Sequence, residues 1–325
     1  MFSLDGYEAL RRGAGVVRRT DRGVLSVRGA DRLTWLQGLL TNDVLALPVG
    51  GVCDAAYLTP QGRMIADMRV INAPDRVLLD VPGSLAENLR AKLDGLLFAE
   101  DASIVDDSAR LALIDAHGPR ATTLRGDALI TIAASAEAVV FDGVFGVPSV
   151  SIFAAYEEAE SIVARLGASG VPEVSLETLN VLRVEAGRPA FLVDIDEHTI
   201  PLEAGLEERA ISFTKGCYVG QEVIVRVMHR GHGRVAKKLV GLLLSGEDPP
   251  PAGSAISSSD RDVGRVTSAV WSPALSRPIA LGYVHRDFLE AGTALTVASQ
   301  AGPIMATVTT LPFVPAIAAA PLGQP

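Results

Sequence analysis

The chain has 325 residues, 48% of them hydrophobic, and a formal net charge of −9. Because single hydrophobic cores stop growing near about 250 residues, we expect two or three domains. Acidic residues outnumber basic ones by 38 to 29, which argues against nucleic acid or an anionic membrane surface as the main partner.

Three further features bear on location. No run of about 18 uninterrupted apolar residues is present, so we expect no membrane partner. The first twenty residues contain four arginines and lack the apolar centre of a secretory signal. The only cysteines, Cys53 and Cys217, lie far apart, which fits a reducing compartment. We therefore expect a cytoplasmic protein.

The first half of the chain alternates predicted strands and helices. A strand over 24–27 precedes an amphipathic helix over 30–40. Turn-rich residues then separate three strand-like segments, which predict an antiparallel meander over 52–59, 64–71 and 76–81. A further helix is predicted over 84–97.

Helix caps are predicted at two of these positions. Asp31 is placed to cap the helix over 30–40. Ser84 and Glu87 have the spacing of a capping box at the start of the next helix.

The second half begins with a similar order. The pattern predicts a strand over 111–115, a helix over 118–124, strands between 138 and 153, and a helix over 157–166. Another helix over 177–186 ends at Gly187. Alternation without regular crossover units favours an α+β fold over a doubly wound sheet, and short strands from residue 239 onward predict a small β-barrel.

These patterns give the expected domain boundaries. Residues 1–235 form the main region, composed of two intertwined α+β subdomains over roughly 1–105 and 106–235. Residues 236–314 form the C-terminal barrel. The uncharged segment 315–325, rich in alanine and proline, is expected to be disordered.

The strongest motif is the octapeptide KGCYVGQE over residues 215–222. Lys215 stands two positions before Cys217, and a neighbouring ammonium lowers a thiol pKa, so this pattern predicts a reactive thiol with Lys215 as its activator. A helix starting near Gly220 would add to this effect through its N-terminal amides. The competing interpretation is an inert buried cysteine in a glycine-rich turn.

The octapeptide resembles the Lys-Gly-Cys-Tyr-x-Gly-Gln-Glu signature of the YgfZ family of folate-binding proteins, which includes iron–sulfur assembly factors. The rest of the chain resembles the wider superfamily of the glycine-cleavage aminomethyltransferase, the T-protein, in the segments 36–44, 62–67, 182–187, 200–206, 263–272 and 280–284. The resemblance implies an aminomethyltransferase-like folate-binding fold of mixed or antiparallel sheets with helices, plus the small C-terminal β-barrel. It also implies tetrahydrofolate, or a one-carbon derivative of it, as cofactor.

Two departures separate the branches of this superfamily. The aminomethyltransferase carries paired aspartates after its glycine-rich turn, whereas this chain has Ala66 and Asp67 there. The transferase also lacks the Lys-Gly-Cys-Tyr sequence. The cysteine therefore indicates the YgfZ branch.

The resemblance assigns roles to three further residues. Glu185 would hold the pterin edge, because one carboxylate accepts two hydrogen bonds from an aminopyrimidine; a helix-surface glutamate is the alternative. Arg183 would bind the glutamate tail of folate or make a structural pair. Asp67 would approach the reactive folate nitrogen or face solvent.

The octapeptide adds three residues to the expected folate-binding set, namely Tyr218, Gln221 and Glu222. Trp35 and Tyr57 could stack on the pterin, but isolated aromatic side chains are more often part of a core. Cys53 lies in an apolar stretch and is interpreted as a small core residue.

Two charged clusters have simpler explanations. A basic cluster follows the octapeptide and could bind an acidic group, although a solvated charged face is the commoner case; it comprises Arg226, His229, Arg230, His232, Arg234, Lys237 and Lys238. An acidic group has some metal-ligand spacing but lacks a second cluster, so no metal is predicted; it comprises Asp194, Asp196, Glu197 and His198.

The leading hypothesis is a tetrahydrofolate-binding factor that supports assembly or repair of iron–sulfur proteins, with Cys217 as the essential thiol. Its partners would be folate and, transiently, iron–sulfur client or assembly proteins. The alternatives are a folate-dependent aminomethyltransferase or demethylase, and an interaction module that has lost folate. Whether the chain is itself an enzyme stays open, with an accessory factor favoured over a transferase.

Overall fold

The computed structural model describes residues 1–125, 139–142, 147–229, 231, 233–259 and 261–318. These residues form two antiparallel sheets, flanking helices and a closed β-barrel. The predicted α+β fold with a small C-terminal barrel is confirmed.

The helices of the described part are short. They are α1 (Leu4–Arg12), α2 (Arg32–Leu39), α3 (Ala86–Asp94), α4 (Ala159–Ala168), α5 (Leu176–Glu185), α6 (Glu207–Ala210) and α7 (Gln221–His229). Single 3-10 turns cover Gly83–Leu85, Ala121–Arg125, Tyr156–Glu158 and Arg286–Phe288.

The strands fall into three groups along the chain. The first is β1 (Gly15–Arg18), β2 (Arg22–Arg28), β3 (Val52–Leu58), β4 (Met64–Asn72), β5 (Val77–Pro82) and β6 (Ser103–Asp106). The second is β7 (Leu111–His117), β8 (Val139–Asp142) and β9 (Ser149–Ala155). The third is β10 (Lys237–Leu244), β11 (Ala255–Ser258), β12 (Arg261–Ser272), β13 (Arg277–His285), β14 (Ala294–Val297) and β15 (Ile304–Thr309).

The first sheet has the order β3-β4-β5-β2-β6 and contains the predicted meander. Helices α2 and α3 supply leucines to the core beneath it. Trp35 and Tyr57 belong to this core, each about 7% exposed, as predicted for isolated aromatic residues. Cys53 is half-buried against the same core.

The second sheet has the order β1-β7-β9-β8. Its edge strand β1 comes from the N-terminus and pairs with β7, with Val17 opposite Asp115. The two sheets face each other through a small cluster that includes Ile71, Leu78 and Phe153. The barrel closes in the order β10-β13-β12-β11-β14-β15.

Both predicted helix caps are wrong. Asp31 lies at the N-terminus of α2, but its carboxylate accepts a hydrogen bond from the Asp101 amide and makes none to the helix. Ser84 lies inside the 3-10 turn, so α3 starts two residues later and without a side-chain cap. The capping-box spacing misplaced the helix start because the preceding turn has a different hydrogen-bond pattern.

The second half differs from the pattern mainly at element ends. The segment predicted as a helix over 118–124 is the 3-10 turn Ala121–Arg125. Part of the predicted strand region between 138 and 153 lies outside the described residues, as does 319–325 of the expected disordered tail. Helix α5 ends as predicted, with Gly187 at a φ of +65°.

Several elements were not predicted, namely α1, β1, β6, α6, β10, β11 and β14. Most contain four to nine residues, too few to show a clear hydrophobic period. No helix within the described ranges is both long and apolar enough to cross a membrane.

Candidate functional site

A buried cavity of about 100 Å³ lies between one face of the first sheet, the segment that follows α5, and α6. We call it the Asp67 cavity. Its charged lining consists of six arginines and two aspartates: Arg19, Arg22, Arg69, Arg183, Arg188, Arg209, Asp54 and Asp67. Guanidinium groups therefore dominate the charged lining.

Strand register places the acidic residues on one face. Asp54 on β3 lies opposite Arg69 on β4, and Ala56 lies opposite Asp67. Because side chains two residues apart point to the same face of a strand, Asp54, Asp67 and Arg69 share the cavity face. The polar residues on this face therefore follow from alternation in β3 and β4.

Asp67 has a buried oxygen, Oδ1, without a hydrogen-bond partner among the described residues. Burial raises the pKa of Asp67, while Arg22 and Arg209 act in the opposite direction. A buried acceptor without a partner is costly and rare in folded proteins. Asp67 can therefore accept a hydrogen bond from a ligand, or hold a proton and donate one.

Three of the arginines belong to a buried network between the two sheets. Arg22 and Arg69 donate to opposite oxygens of Asp80, at 2.7 and 2.5 Å. Arg19 donates to Asp115 at 3.0 Å. Although burial disfavours the charged form, Arg69 and its neighbours hold the pKa of Asp115 well below its usual range. These cations are compensated and orient the cavity wall.

Arg183 is also paired. Its guanidinium donates to Asp194 at 2.6 Å, to Ser268 at 2.8 Å and to the Arg188 carbonyl at 2.7 Å. These bonds join α5 to β12 of the barrel. Of the two interpretations offered for Arg183, this geometry corresponds to structural pairing, although the side chain also lines the Asp67 cavity.

Glu185 lies elsewhere, fully buried between α1, α5 and the barrel. Its carboxylate accepts hydrogen bonds from the Tyr7 hydroxyl, from Arg11 and from Ser272. Burial and the Glu185 charge raise the pKa of Tyr7 to about 12. A helix-surface position is wrong for Glu185, and a pterin edge could reach its carboxylate only by replacing these partners.

Lys215 is directed away from solvent. Its ammonium donates to the carbonyl oxygens of Gln37 and Leu40, both at 2.6 Å, and of Asn42 at 3.0 Å. Burial lowers the pKa of Lys215 to about 8, while the charge of Asp43 acts in the opposite direction. Lys215 thus satisfies carbonyl groups that the end of α2 leaves without partners. Its predicted effect on the Cys217 thiol stays a prediction.

Residues 212–220 form the cysteine loop. Within it Cys217 is exposed, whereas Tyr218 is buried with the Lys215 ammonium 5.2 Å from its ring centre. Burial raises the pKa of Tyr218 to about 12. The interpretation of Cys217 as a buried residue is wrong, and the reactivity of its thiol stays a prediction.

The helix expected after this loop is α7, which begins at Gln221. Its second residue, Glu222, is exposed and pairs with Arg226 one turn later at 2.9 Å. Gln221 is half-buried. The β-branched residues of the segment therefore do not prevent a helix.

The cysteine loop packs on the turn of the β3–β4 hairpin. Gly220 has a φ of +82°, and a side chain there would lie 2.5 Å from the Thr59 carbonyl oxygen. A side chain on Gly62 would collide with Val223. Glycine is thus required where the loop meets the turn.

The predicted site residues therefore fall into three places. Asp67 and Arg183 line the Asp67 cavity, Glu185 is buried beside the barrel, and Lys215, Cys217, Tyr218, Gln221 and Glu222 belong to the cysteine loop and α7. Asp67 lies three residue pairs from the hairpin turn, about 10 Å along the strand. The loop and the cavity are adjacent but separate.

Sequence reasoning missed six of the charged cavity residues, among them Asp54, Arg188 and Arg209. Arg209 donates to Asp54 at 3.1 Å, and Arg188 lies 3.9 Å from the same oxygen. Asp54 could have been identified, because it lies two residues before Ala56 on a predicted strand and so points to the same face as the partner of that residue, Asp67. Nothing in the sequence linked the two arginines to Asp54.

The two charged clusters are divided among local contacts. In the basic cluster, Lys238 pairs with Glu207 at 3.1 Å and Lys237 lies over the Tyr283 ring. Arg230 and His232 lie outside the described residues. In the acidic group, Asp194 is held by Arg183. No set of three or more His, Cys, Asp or Glu side chains in the described part of the chain could hold a metal ion.

Comparison with known proteins agrees with this architecture. Residues 3–145 match the GCVT N-terminal domain, and residues 237–315 match the glycine cleavage T-protein C-terminal barrel domain. A solved aminomethyltransferase T of the glycine cleavage system from Bartonella henselae superimposes with a TM-score of 0.87 at 21% identity, covering 98% of this chain and 91% of that one. This likeness concerns the fold.

Relatives extend the match to almost the full sequence. The aminomethyltransferase of Rubrobacter xylanophilus is 30% identical over 321 residues, covering 94% of this chain and 85% of that protein. The aminomethyltransferase of Thermus thermophilus is 30% identical over 331 residues, covering 96% and 90%. The chain therefore belongs to the glycine-cleavage T-protein family.

Proposed function

We propose that this protein is a tetrahydrofolate-binding factor of the YgfZ type that supports assembly or repair of iron–sulfur proteins through the thiol of Cys217. The observation that carries the proposal is the exposure of this thiol in a loop held on both sides. Free cysteine is among the most buried residue types, so an exposed one in a fixed loop favours a chemical role.

The environment of Cys217 limits that role. A single thiolate cannot hold a stable iron–sulfur cluster, which needs several ligands. The described side chains contain no cluster of three or more His, Cys, Asp or Glu residues that could hold a metal ion. A client or assembly protein would therefore supply the other ligands if Cys217 binds iron transiently. Disulfide exchange with a client and attack on a folate-bound one-carbon unit are the other reactions open to it.

The polar groups of tetrahydrofolate match those of the Asp67 cavity, but the whole ligand is too large for it. The buried Oδ1 of Asp67 needs a donor, which an N–H group at either end of the ligand, in the pterin or in the glutamate amide, supplies. The cavity of about 100 Å³ is smaller than the roughly 300–1,000 Å³ of drug-sized pockets, so only one end of the ligand would enter it. When bound, tetrahydrofolate supplies the nitrogen that carries a one-carbon unit.

An aminomethyltransferase is the second candidate, and two observations favour it. The relatives from Rubrobacter and Thermus bear that name. Asp67 also has the raised pKa that a proton donor or acceptor near a folate nitrogen requires. Against it stands Ala66, where the transferase has a second aspartate.

The first candidate is tested by complementation in a strain that lacks the native factor, with iron–sulfur enzyme activity as the readout. Cys217→Ser should fail to restore activity, whereas Cys53→Ser, which changes the other free cysteine, should restore it. Full activity with Cys217→Ser would refute the proposal.

The second candidate is tested with purified protein by following one-carbon transfer to tetrahydrofolate. Transfer that Asp67→Asn abolishes and Cys217→Ser leaves intact would establish the transferase. Both candidates assume that the protein binds tetrahydrofolate, which calorimetry and melting temperature test. No heat of binding and no change in melting temperature would show that folate is not a ligand.

A further inference from the structure

Arg188 is the least compensated cation of the Asp67 cavity. Its guanidinium donates no hydrogen bond to any residue in the described ranges, and its one ionic contact is the 3.9 Å approach to Asp54. Asp54 already accepts a shorter hydrogen bond from Arg209. Two guanidinium groups therefore share one carboxylate.

The other arginines of the cavity do not have this deficit. Arg22 and Arg69 share Asp80 with short bonds to opposite oxygens, and Arg183 has Asp194. The uncompensated positive charge is thus localised at Arg188 and Arg209. Burial and the proximity of Arg209 both lower the pKa of Arg188, which is the expected electrostatic result of this crowding.

The position of Arg188 makes it accessible to a ligand. The side chain is about 27% exposed and lines two cavities. One is the Asp67 cavity, and the other, of about 210 Å³, is bounded by Arg11, Leu182 and Val314. Arg188 therefore lies in the wall between them.

We propose that Arg188, together with Arg209, binds a carboxylate group of a ligand in the Asp67 cavity. The planar guanidinium matches a carboxylate with two parallel hydrogen bonds, and a low-dielectric cavity strengthens that pair. The partnerless Oδ1 of Asp67 then accepts an N–H or O–H from the same ligand. The ligand class is a small acid that carries a hydrogen-bond donor, free in solution or as the glutamate part of folate.

The free acid and the folate part are distinguished by two binding experiments. In the first, the melting temperature of the protein is measured with sodium glutamate against sodium chloride at equal ionic strength. In the second, calorimetry compares tetrahydrofolate with tetrahydropteroate, which lacks the glutamate. Only the calorimetry rests on the proposed folate function. A protein that does not bind folate can still show a rise in melting temperature with glutamate.

The variants are Arg188→Gln, Arg188→Lys and Arg18→Gln. Arg18 is an exposed arginine that pairs with Glu173 and serves as the matched control. If the ligand is a free acid, Arg188→Gln abolishes the rise in melting temperature with glutamate and leaves tetrahydrofolate affinity unchanged. If the ligand is the glutamate part of folate, Arg188→Gln lowers the affinity for tetrahydrofolate about tenfold or more and leaves the affinity for tetrahydropteroate unchanged.

In either case Arg18→Gln behaves as wild type, and Arg188→Lys, which keeps the charge without the planar fork, recovers only part of the binding. Two results overturn the proposal. One is a wild-type protein that responds neither to glutamate nor to the glutamate part of folate. The other is an Arg188→Gln protein that is folded and binds both as wild type does.

Discussion

The ammonium of Lys215 lies 2.6 Å from the carbonyl oxygen of Leu40, which joins the cysteine loop to the end of α2. The same residue was expected to act on the neighbouring thiol. Its three hydrogen bonds make it a fixing point for the loop that presents Cys217, and its effect on the thiol stays a prediction.

Replacing Lys215 with methionine removes three hydrogen bonds and leaves their carbonyl acceptors without partners. We expect the free energy of unfolding to fall by about 2 kcal/mol, as measured by urea denaturation. Lys238→Met is the control, because it breaks a partly exposed ion pair with Glu207 and should cost less than about 1 kcal/mol. Equal stability of the two variants would contradict the role given to Lys215.

Removing the charge of Glu185 should destabilise the protein directly. In Glu185→Gln the half-buried Arg11 loses its fully buried ionic partner, and we expect a loss of about 3 kcal/mol in the free energy of unfolding. Glu177→Gln, which changes an exposed glutamate, should be close to wild type. A stable Glu185→Gln protein that fails to bind tetrahydrofolate would instead place Glu185 at the ligand.

The two cysteines should differ in reactivity. Burial, followed by the Asp54 charge, raises the pKa of the Cys53 thiol to about 12, so this thiol stays protonated at pH 8. We expect iodoacetamide to modify the exposed Cys217 at least about tenfold faster, as measured by peptide mapping. Denaturation in urea should remove the difference. Faster modification of Cys53 in the folded protein would be inconsistent with the loop geometry.

Asp67 should make stability depend on pH. Its folded pKa is raised above the ordinary 3.8, so the folded state binds more protons and stability falls as pH rises through the folded pKa. Asp67→Asn should therefore be more stable than wild type at neutral pH, with the advantage vanishing below pH of about 3.8. Urea denaturation across this range measures the difference.

Asp75 provides the control for this pH dependence. Burial raises the pKa of this exposed carboxyl, but Arg28 and Arg76 together hold it below the usual value. Asp75→Asn should lose rather than gain stability relative to wild type as pH rises. A gap between Asp67→Asn and wild type that is independent of pH would show that the Asp67 carboxylate is not disfavoured in the folded protein.

Local patterns predicted the parts of the fold where turn residues separate strand-like segments. The meander β3–β4–β5 was found because turn-rich residues, including Gly62, separate its three segments. The caps at Asp31 and Ser84 failed because the same residue types also bond to neighbouring loops.

Within the candidate site, motifs in the sequence pointed to two single residues, Asp67, which lines the cavity, and Cys217, which is exposed. The role proposed for Arg188 was not predictable, because it depends on a shortage of negative charge in the folded protein. That shortage arises only when Arg188 and Arg209 share Asp54, which lies more than 130 residues earlier in the sequence. The burial of Lys215 likewise depends on the distant end of α2.

The contact between Gly220 and the Thr59 carbonyl has a thermodynamic consequence. This contact lies at the turn of the β3–β4 ribbon. Asp54 and Asp67 lie on the two strands of the same ribbon. A close-packed ribbon transmits displacement instead of absorbing it. Under the proposed function, occupancy of the cavity and docking of a client on the cysteine loop are therefore expected to be linked equilibria, each altering the affinity for the other by the same factor.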